Sequence, residues 1–175
     1  MTLTIGFVSG FLVADDSMLA AYDESFEKYN IEHGNFTLSS EASESTIKKI
    51  EEKGDVRICK NFYRDESVDT DLDGTENGTI RIYQDRTDMD LVCLMKGEMP
   101  QAKNEIAIDR MYADNNSLTV GDKIKVGGEE LSITGLIALS DYSCLFSNNS
   151  DMMFDAVKFG VAIMTEEGAD QFGTT

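Results

Sequence analysis

The stretch GDKIKVGGEELSITGLI, residues 121–137, decides the fold because it specifies a β-hairpin. Apolar residues alternate with polar ones on both sides of a glycine pair; they are Ile124, Val126, Leu131 and Ile133. A period of two is typical of strands that bury one face. The pair Gly127-Gly128 supplies the positive φ angles that a tight turn needs. The sequence therefore predicts a ribbon whose apolar face lies in the core.

The length of the turn sets the register of this hairpin. A two-residue turn pairs Ile124 with Leu131, whereas a four-residue turn pairs Val126 with Leu131. Both keep the same side chains inward, so the pattern alone leaves the register open. Gly135 interrupts the second strand and predicts a bulge or a close approach of another backbone.

Composition excludes several classes of function. The chain has 175 residues, 41% of them hydrophobic, and a single proline, which indicates a folded globular protein. Its net charge of -18 argues against nucleic acid and against an anionic membrane surface, since both are polyanions. We interpret the charge as a means of solubility.

Three cysteines lie far apart in the chain, at Cys59, Cys93 and Cys144. An odd number at wide spacing fits neither a disulfide framework nor a zinc site. We expect three buried thiols. The alternative is one disulfide bridge between two of the three cysteines.

The remaining patterns mix helices and strands. Helices are predicted at 15–30, 39–54, 110–116 and from Thr165; further strands are predicted at 55–63, 79–83, 90–95, 104–109 and 156–164, the last containing the core segment FGVAIM. This is an α+β fold with a mixed or antiparallel sheet, a long N-terminal amphipathic helix, a short exposed helix and the hairpin. Residues 55–140 are a candidate subdomain.

An apolar, uncharged segment at residues 3–14 precedes the first predicted helix. It is too short to cross a membrane alone, because a span needs about 20 residues. It is expected to be a buried element or the outer end of a transmembrane helix.

One polar run carries two partial motifs. Asp69, Asp71, Asp73 and Gly74 match the start of a calcium loop, but Ile80 stands where an EF-hand needs a bidentate glutamate. A solvated acidic tip is the favoured interpretation, and a partial Ca²⁺ site stays open.

The second motif is DLDGT at 71–75, which resembles the first motif of haloacid dehalogenase-like phosphatases. There the first aspartate attacks phosphorus and the second handles the leaving-group proton, with Mg²⁺ on the carboxylates. The motif must follow a buried parallel strand, and the polar residues before it predict no strand. We therefore assign no catalytic, cofactor-binding or metal-binding residue from the sequence and expect no enzyme.

Residues 97–137 as an ordered set resemble the extracytoplasmic core domain of FtsX-like ABC-transporter permeases, the group that includes the MacB periplasmic domain. The residues that carry the resemblance are Gly97, Pro100, Asn104, Glu105, Ile106, Ile108, Ala113, Leu118, Val120, Gly121, Asp122 and Gly135 to Ile137.

The resemblance implies a non-catalytic domain on the outer side of the cell membrane. Residues 1–14 would be the outer end of the first transmembrane helix and 15–175 the extracytoplasmic domain, ending at Thr175 shortly before the membrane, so that the chain is a soluble fragment. Its partners would be the transmembrane part of the same permease and a separate cytoplasmic ATP-binding subunit. It would relay conformational change or contact the transported substrate. The alternative from a different class is a calcium-binding secreted interaction module.

Overall fold

The computed structural model describes residues 16–36, 38, 40, 42–142, 145–148 and 150–173, and these form helices around a seven-stranded sheet. The helices are α1 (16–28), α2 (Glu44–Gly54), α3 (Arg110–Asn115) and α4 (Glu166–Asp170). The strands are β1 (Tyr63–Asp69), β2 (Gly78–Gln84), β3 (Cys93–Gly97), β4 (Glu105–Asp109), β5 (Lys123–Val126), β6 (Glu129–Ala138) and β7 (Phe159–Met164).

The sheet closes on itself because β5 pairs at both of its edges. The order is β3-β6-β4-β7-β2-β1-β5, and β5 also pairs with β6. Six strands therefore form a partly closed barrel, while β3 lies beside it, paired with the far half of β6. The pairs β2–β7 and β4–β6 are parallel and the others antiparallel. The predicted α+β class with a mixed sheet is confirmed.

The hairpin prediction is confirmed and its register is resolved. Ile124 pairs with Leu131, so the turn has two residues. Both turn glycines have positive φ, 53° at Gly127 and 92° at Gly128. The four alternating apolar side chains of β5 and β6 are at most 1% exposed and contribute to the main core.

At Gly135 the structure shows both a bulge and a close approach. The pairing of β4 skips Thr134, since Ile106 pairs with Ile133 and Ala107 with Gly135. A Cβ atom on Gly135 would lie 2.6 Å from the carbonyl oxygen of Glu98. Only glycine lets the chain after β3 pass this closely over β6.

The predicted strand at 55–63 is wrong. Residues 55–62 are not in a strand, and β1 instead starts at Tyr63 and runs through the polar segment to Asp69. Apolar alternation missed β1 because a polar side chain takes part in the pairing: Asp65 lies opposite Arg81 of β2 and forms an ion pair with it. Paired charges can occupy positions where periodicity arguments expect apolar side chains.

The C-terminal elements match the predictions. Every residue of β7 is buried, as expected for FGVAIM. The Thr165 hydroxyl caps α4 by accepting a hydrogen bond from the Gly168 N–H at 3.1 Å. The second predicted helix is α2, which has no buried residue.

The first helix differs from the prediction in its surroundings. Residues 16–28 are helical, but apolar side chains meant for a buried face are exposed: Met18 by 73%, Leu19 by 56% and Tyr22 by 60%. The apolar segment 3–14 lies outside the described residues, so the predicted length of this helix stays a prediction. Within the described ranges, no helix combines the length and the apolarity that a membrane span requires.

The cysteines are less buried than expected. Cys59 and Cys93 are free thiols of intermediate exposure, and the Tyr29 hydroxyl lies 3.0 Å from the sulfur of Cys93. Cys144 lies outside the described residues.

Replacing Gly135 by alanine tests the close approach. The added Cβ forces β6 and the chain at Glu98 apart, so we expect Gly135→Ala to lower the free energy of unfolding by about 2 kcal/mol or more. Denaturant unfolding monitored by circular dichroism measures it. The matched control is Gly34→Ala, because no atom lies within 4 Å of a Cβ built there; we expect the control to change the free energy by less than about 0.5 kcal/mol. Equal effects of the two substitutions would contradict the role given to Gly135.

Candidate functional site

The acidic loop, residues 70–77, joins the end of β1 at Asp69 to the start of β2 at Gly78. The last residue pair between these two strands is Val68 with Gly78. Asp69 ends β1 and is only 4% exposed. Its Oδ2 accepts a hydrogen bond from the Gly74 N–H at 2.8 Å. Its Oδ1 is shielded from solvent and accepts no hydrogen bond from the described residues. The solvated tip predicted from sequence is therefore wrong for Asp69, although Asp71 and Asp73 are exposed.

Three carboxylates converge in this loop. One oxygen from each of Asp69, Asp71 and Asp73 lies within 4.8 Å of the others. Burial alone would raise the pKa of Asp69, but hydrogen bonds, chiefly from the Gly74 main chain, outweigh it and hold that pKa below its usual value. The carboxylate of Asp69 is therefore stabilised in its charged form, and two further carboxylates lie close to it. In the described part of the chain, no lysine or arginine forms an ion pair with any of them.

The other polar side chains of the loop are engaged elsewhere. Glu76 accepts a hydrogen bond from the Ser67 hydroxyl at 2.6 Å. The Asn77 amide donates to the Thr70 hydroxyl at 2.8 Å. Ile80, at the position of the EF-hand glutamate, is a fully buried core residue of β2. A cation in this loop would therefore have the three aspartates as its side-chain ligands.

The phosphatase motif lies after a strand, contrary to the sequence-based expectation, but that strand is of the wrong kind. β1 ends at Asp69, just before DLDGT, and both of its neighbours, β2 and β5, run antiparallel to it. The phosphatase chemistry needs the motif at the carboxyl end of a parallel strand. The geometry thus does not supply the setting that the motif requires.

A second group of polar residues, absent from the sequence predictions, surrounds Arg81 of β2. Its guanidinium donates to both carboxylate oxygens of Asp65 at 2.7 Å. It also donates to the Tyr142 hydroxyl at 3.1 Å and the Ser147 carbonyl at 3.1 Å. The Tyr63 ring stacks on it, with 4.1 Å from the guanidinium carbon to the ring centre. Arg81 is 9% exposed and links β1 and β2 to the segment after β6.

The same network continues along β2. The hydroxyls of Tyr83 and Tyr142 are 2.7 Å apart, and Arg86 stacks on the Tyr83 ring at 4.2 Å. Arg86 in turn pairs with Asp141 at 2.8 Å, and both side chains are nearly buried. Burial raises the pKa values of Tyr83 and Asp141, and the charge of Arg86 opposes the shift at both. These groups hold one another in place, which favours a structural role over a catalytic one.

The segment that follows carries an exposed apolar group. Met152 is 97% exposed and Met153 is 85% exposed. Phe154 next to them packs edge-on against Phe146, with 5.9 Å between ring centres.

The residues behind the sequence resemblance have structural roles. The Glu105 carboxylate accepts hydrogen bonds from the main-chain N–H groups of Gln101 at 2.7 Å and Ala102 at 3.1 Å, which closes the turn after Pro100. The Asp122 carboxylate accepts from the Thr119 N–H at 2.7 Å. These are side-chain caps of turns.

The apolar members of the same set lie in the core. Ile106 and Ile108 of β4, Ala113 of α3 and Ile137 of β6 are fully buried, and Leu118 is 8% exposed. The set therefore encodes turns and core of one continuous unit that contains β4, α3, β5 and β6.

No protein-family model matches the chain, and no curated protein shows significant similarity to it. Among solved structures, the chain is similar to the extracellular domain of the noncanonic ABC-type transporter YknZ from Gram-positive bacteria. The two share 11% sequence identity with a TM-score of 0.43, over 76% of this chain and 67% of that chain.

Replacing Arg81 by lysine tests the network. Lysine keeps the charge but loses the bidentate pair and the planar stacking, so we expect Arg81→Lys to lower the free energy of unfolding by roughly 2–4 kcal/mol. The matched control is Arg110→Lys, because Arg110 forms an exposed i,i+4 ion pair with Asp114; we expect this substitution to cost less than about 0.5 kcal/mol. Thermal and denaturant unfolding give both values, and an Arg81→Lys protein as stable as the control would refute the role of the network.

Proposed function

We propose that this chain is the non-catalytic extracytoplasmic domain of an FtsX-like ABC-transporter permease, related to the MacB periplasmic core domain. The observation that carries the proposal is the ordered set between Gly97 and Ile137. Its members are spread over residues 97–137, and in the structure they make the successive turns and the core of one unit. A set of residues that fixes a scaffold is what a shared domain without bond chemistry needs to keep.

The partly closed barrel supports a mechanical role. Each strand of the ring pairs at both edges, so no single strand can move without breaking a ladder of hydrogen bonds. Such a body responds to a force by moving as a whole. On this proposal, ATP hydrolysis on a cytoplasmic subunit moves the transmembrane helices, and the barrel relays that movement outside or alters its contacts with the substrate.

The exposed apolar face of α1 supports a connection between this helix and the membrane part of the permease. Met18, Leu19 and Tyr22 lie on the first helix and remain in solvent, although their spacing suits a packed face. This helix directly follows the apolar segment 3–14. We propose that both belong to the connection with the membrane part, where the transmembrane helices of the same permease would cover them.

A labelling experiment on the full gene product in cells tests the location. Met152→Cys, in a background with the three native cysteines replaced by serine, places a thiol at a site that is 97% exposed. We expect a membrane-impermeant maleimide to label this thiol in intact cells, because the domain lies outside the bilayer. Labelling is read by mass shift on a gel.

The control variant is Ala107→Cys, whose side chain is fully buried in β4 and should stay unlabelled in the folded protein. Lysed cells show the full labelling of Met152→Cys. Protection of that thiol in intact cells together with labelling after lysis would place the domain in the cytoplasm and end the proposal.

A further inference from the structure

The Oδ1 atom of Asp69 has a missing partner. The side chain is 4% exposed, and this oxygen is shielded from water and accepts no hydrogen bond from the described residues. An ionised oxygen removed from water without a donor is costly, so native proteins pair such groups or coordinate a metal with them. The described residues offer no N–H or O–H to this oxygen, and a cation is a partner that would satisfy it.

The surroundings of this oxygen favour a positive ion. Asp71 and Asp73 bring their carboxylates to within 4.8 Å of the Asp69 carboxylate. Lys125 of β5 lies opposite Asp69 of β1 in the strand register, but Lys125 is exposed. In the part of the chain that the structure describes, Lys125 forms no ion pair with any of the three aspartates. Within the described ranges, no ion pair therefore offsets the negative charge of these carboxylates.

The chemistry of the donors selects the kind of ion. All three side-chain ligands are carboxylate oxygens, which suit hard cations and not soft metals. A bare ion is smaller than a water molecule, so it can reach an oxygen that water cannot. The spacing of one ligand at every second residue, followed by Gly74 with φ of 90°, is the order in which calcium loops wrap their ion.

We infer that Asp69, Asp71 and Asp73 bind one divalent hard cation, with Ca²⁺ preferred, and that this ion locks the loop between β1 and β2. Since Ile80 replaces the bidentate glutamate, water must fill the remaining positions around the ion. We therefore expect a dissociation constant on the order of 10⁻⁴–10⁻³ M, the range of extracellular calcium modules. The inference goes beyond the proposed function and does not depend on it.

Thermal unfolding of the 175-residue chain tests the site. Samples contain EDTA, 10 mM CaCl₂ or 10 mM MgCl₂, with ionic strength held equal by NaCl. We expect Ca²⁺ to raise the Tm by roughly 3–10 °C, from ligand linkage at the expected affinity and the size of the chain. Isothermal titration with CaCl₂ gives the stoichiometry, which we expect to be one.

Asp71→Asn separates a site from a general counterion effect on a chain of charge -18. Asp71 is exposed, so the variant should fold, and in EDTA its Tm should rise slightly because one repulsive charge is gone. It should lose the response to Ca²⁺. The matched control is Asp23→Asn, an exposed aspartate of α1 with the same change of charge, which should respond to Ca²⁺ as the unsubstituted chain does.

Three outcomes would overturn the inference: no Ca²⁺-dependent shift in the unsubstituted chain, equal shifts in the two variants, or a Ca²⁺ shift no larger than the Mg²⁺ shift. Each leaves the proposed location untouched, since the labelling of Met152→Cys in cells does not involve this loop. Conversely, a cytoplasmic location would not alter the response of the purified chain to Ca²⁺.

Discussion

The barrel depends on β6, because this one strand pairs with three others. Residues 132–137 of β6 pair with β4 along one edge, while the other edge pairs first with β5 and then with β3. The change of partner falls at the bulge beside Gly135, where the chain after β3 crosses within reach of the β6 backbone.

Local patterns predicted the hairpin, but they also predicted a strand at 55–63 that the structure does not contain and missed β1. The hairpin was predictable because glycine chemistry and a period of two agree in one short stretch. β1 was not, because the paired charges of Asp65 and Arg81 replace an apolar contact that no local rule can foresee. The parallel pairs β2–β7 and β4–β6 join residues distant in sequence, and a pattern within one strand carries no information about its neighbour.

The sequence revealed the acidic loop, but it did not reveal that Asp69 is buried. The spacing of Asp69, Asp71 and Asp73 marked it at once. The burial of Asp69 depends on β1, which the sequence did not reveal, so the whole run read as solvated. The Arg81 network left only one trace, an arginine between Ile80 and Ile82 in an otherwise apolar strand. Successive side chains of β2 point to opposite faces of the sheet, and both faces are buried, so another part of the chain must cover the second face. The segment that contains Tyr142 and Ser147 covers it.

The Arg81 network fastens the segment after β6 to the outer face of β1 and β2, so it belongs to the rigid body. The methionines at 152 and 153 lie beyond that attachment and are almost fully exposed. If the barrel transmits motion as one body, changes in contact must arise at surfaces outside its hydrogen-bond ladders, since the ladders themselves have one arrangement. The exposed apolar residues of α1, which are Met18, Leu19 and Tyr22, and the exposed Met152 and Met153 are such surfaces.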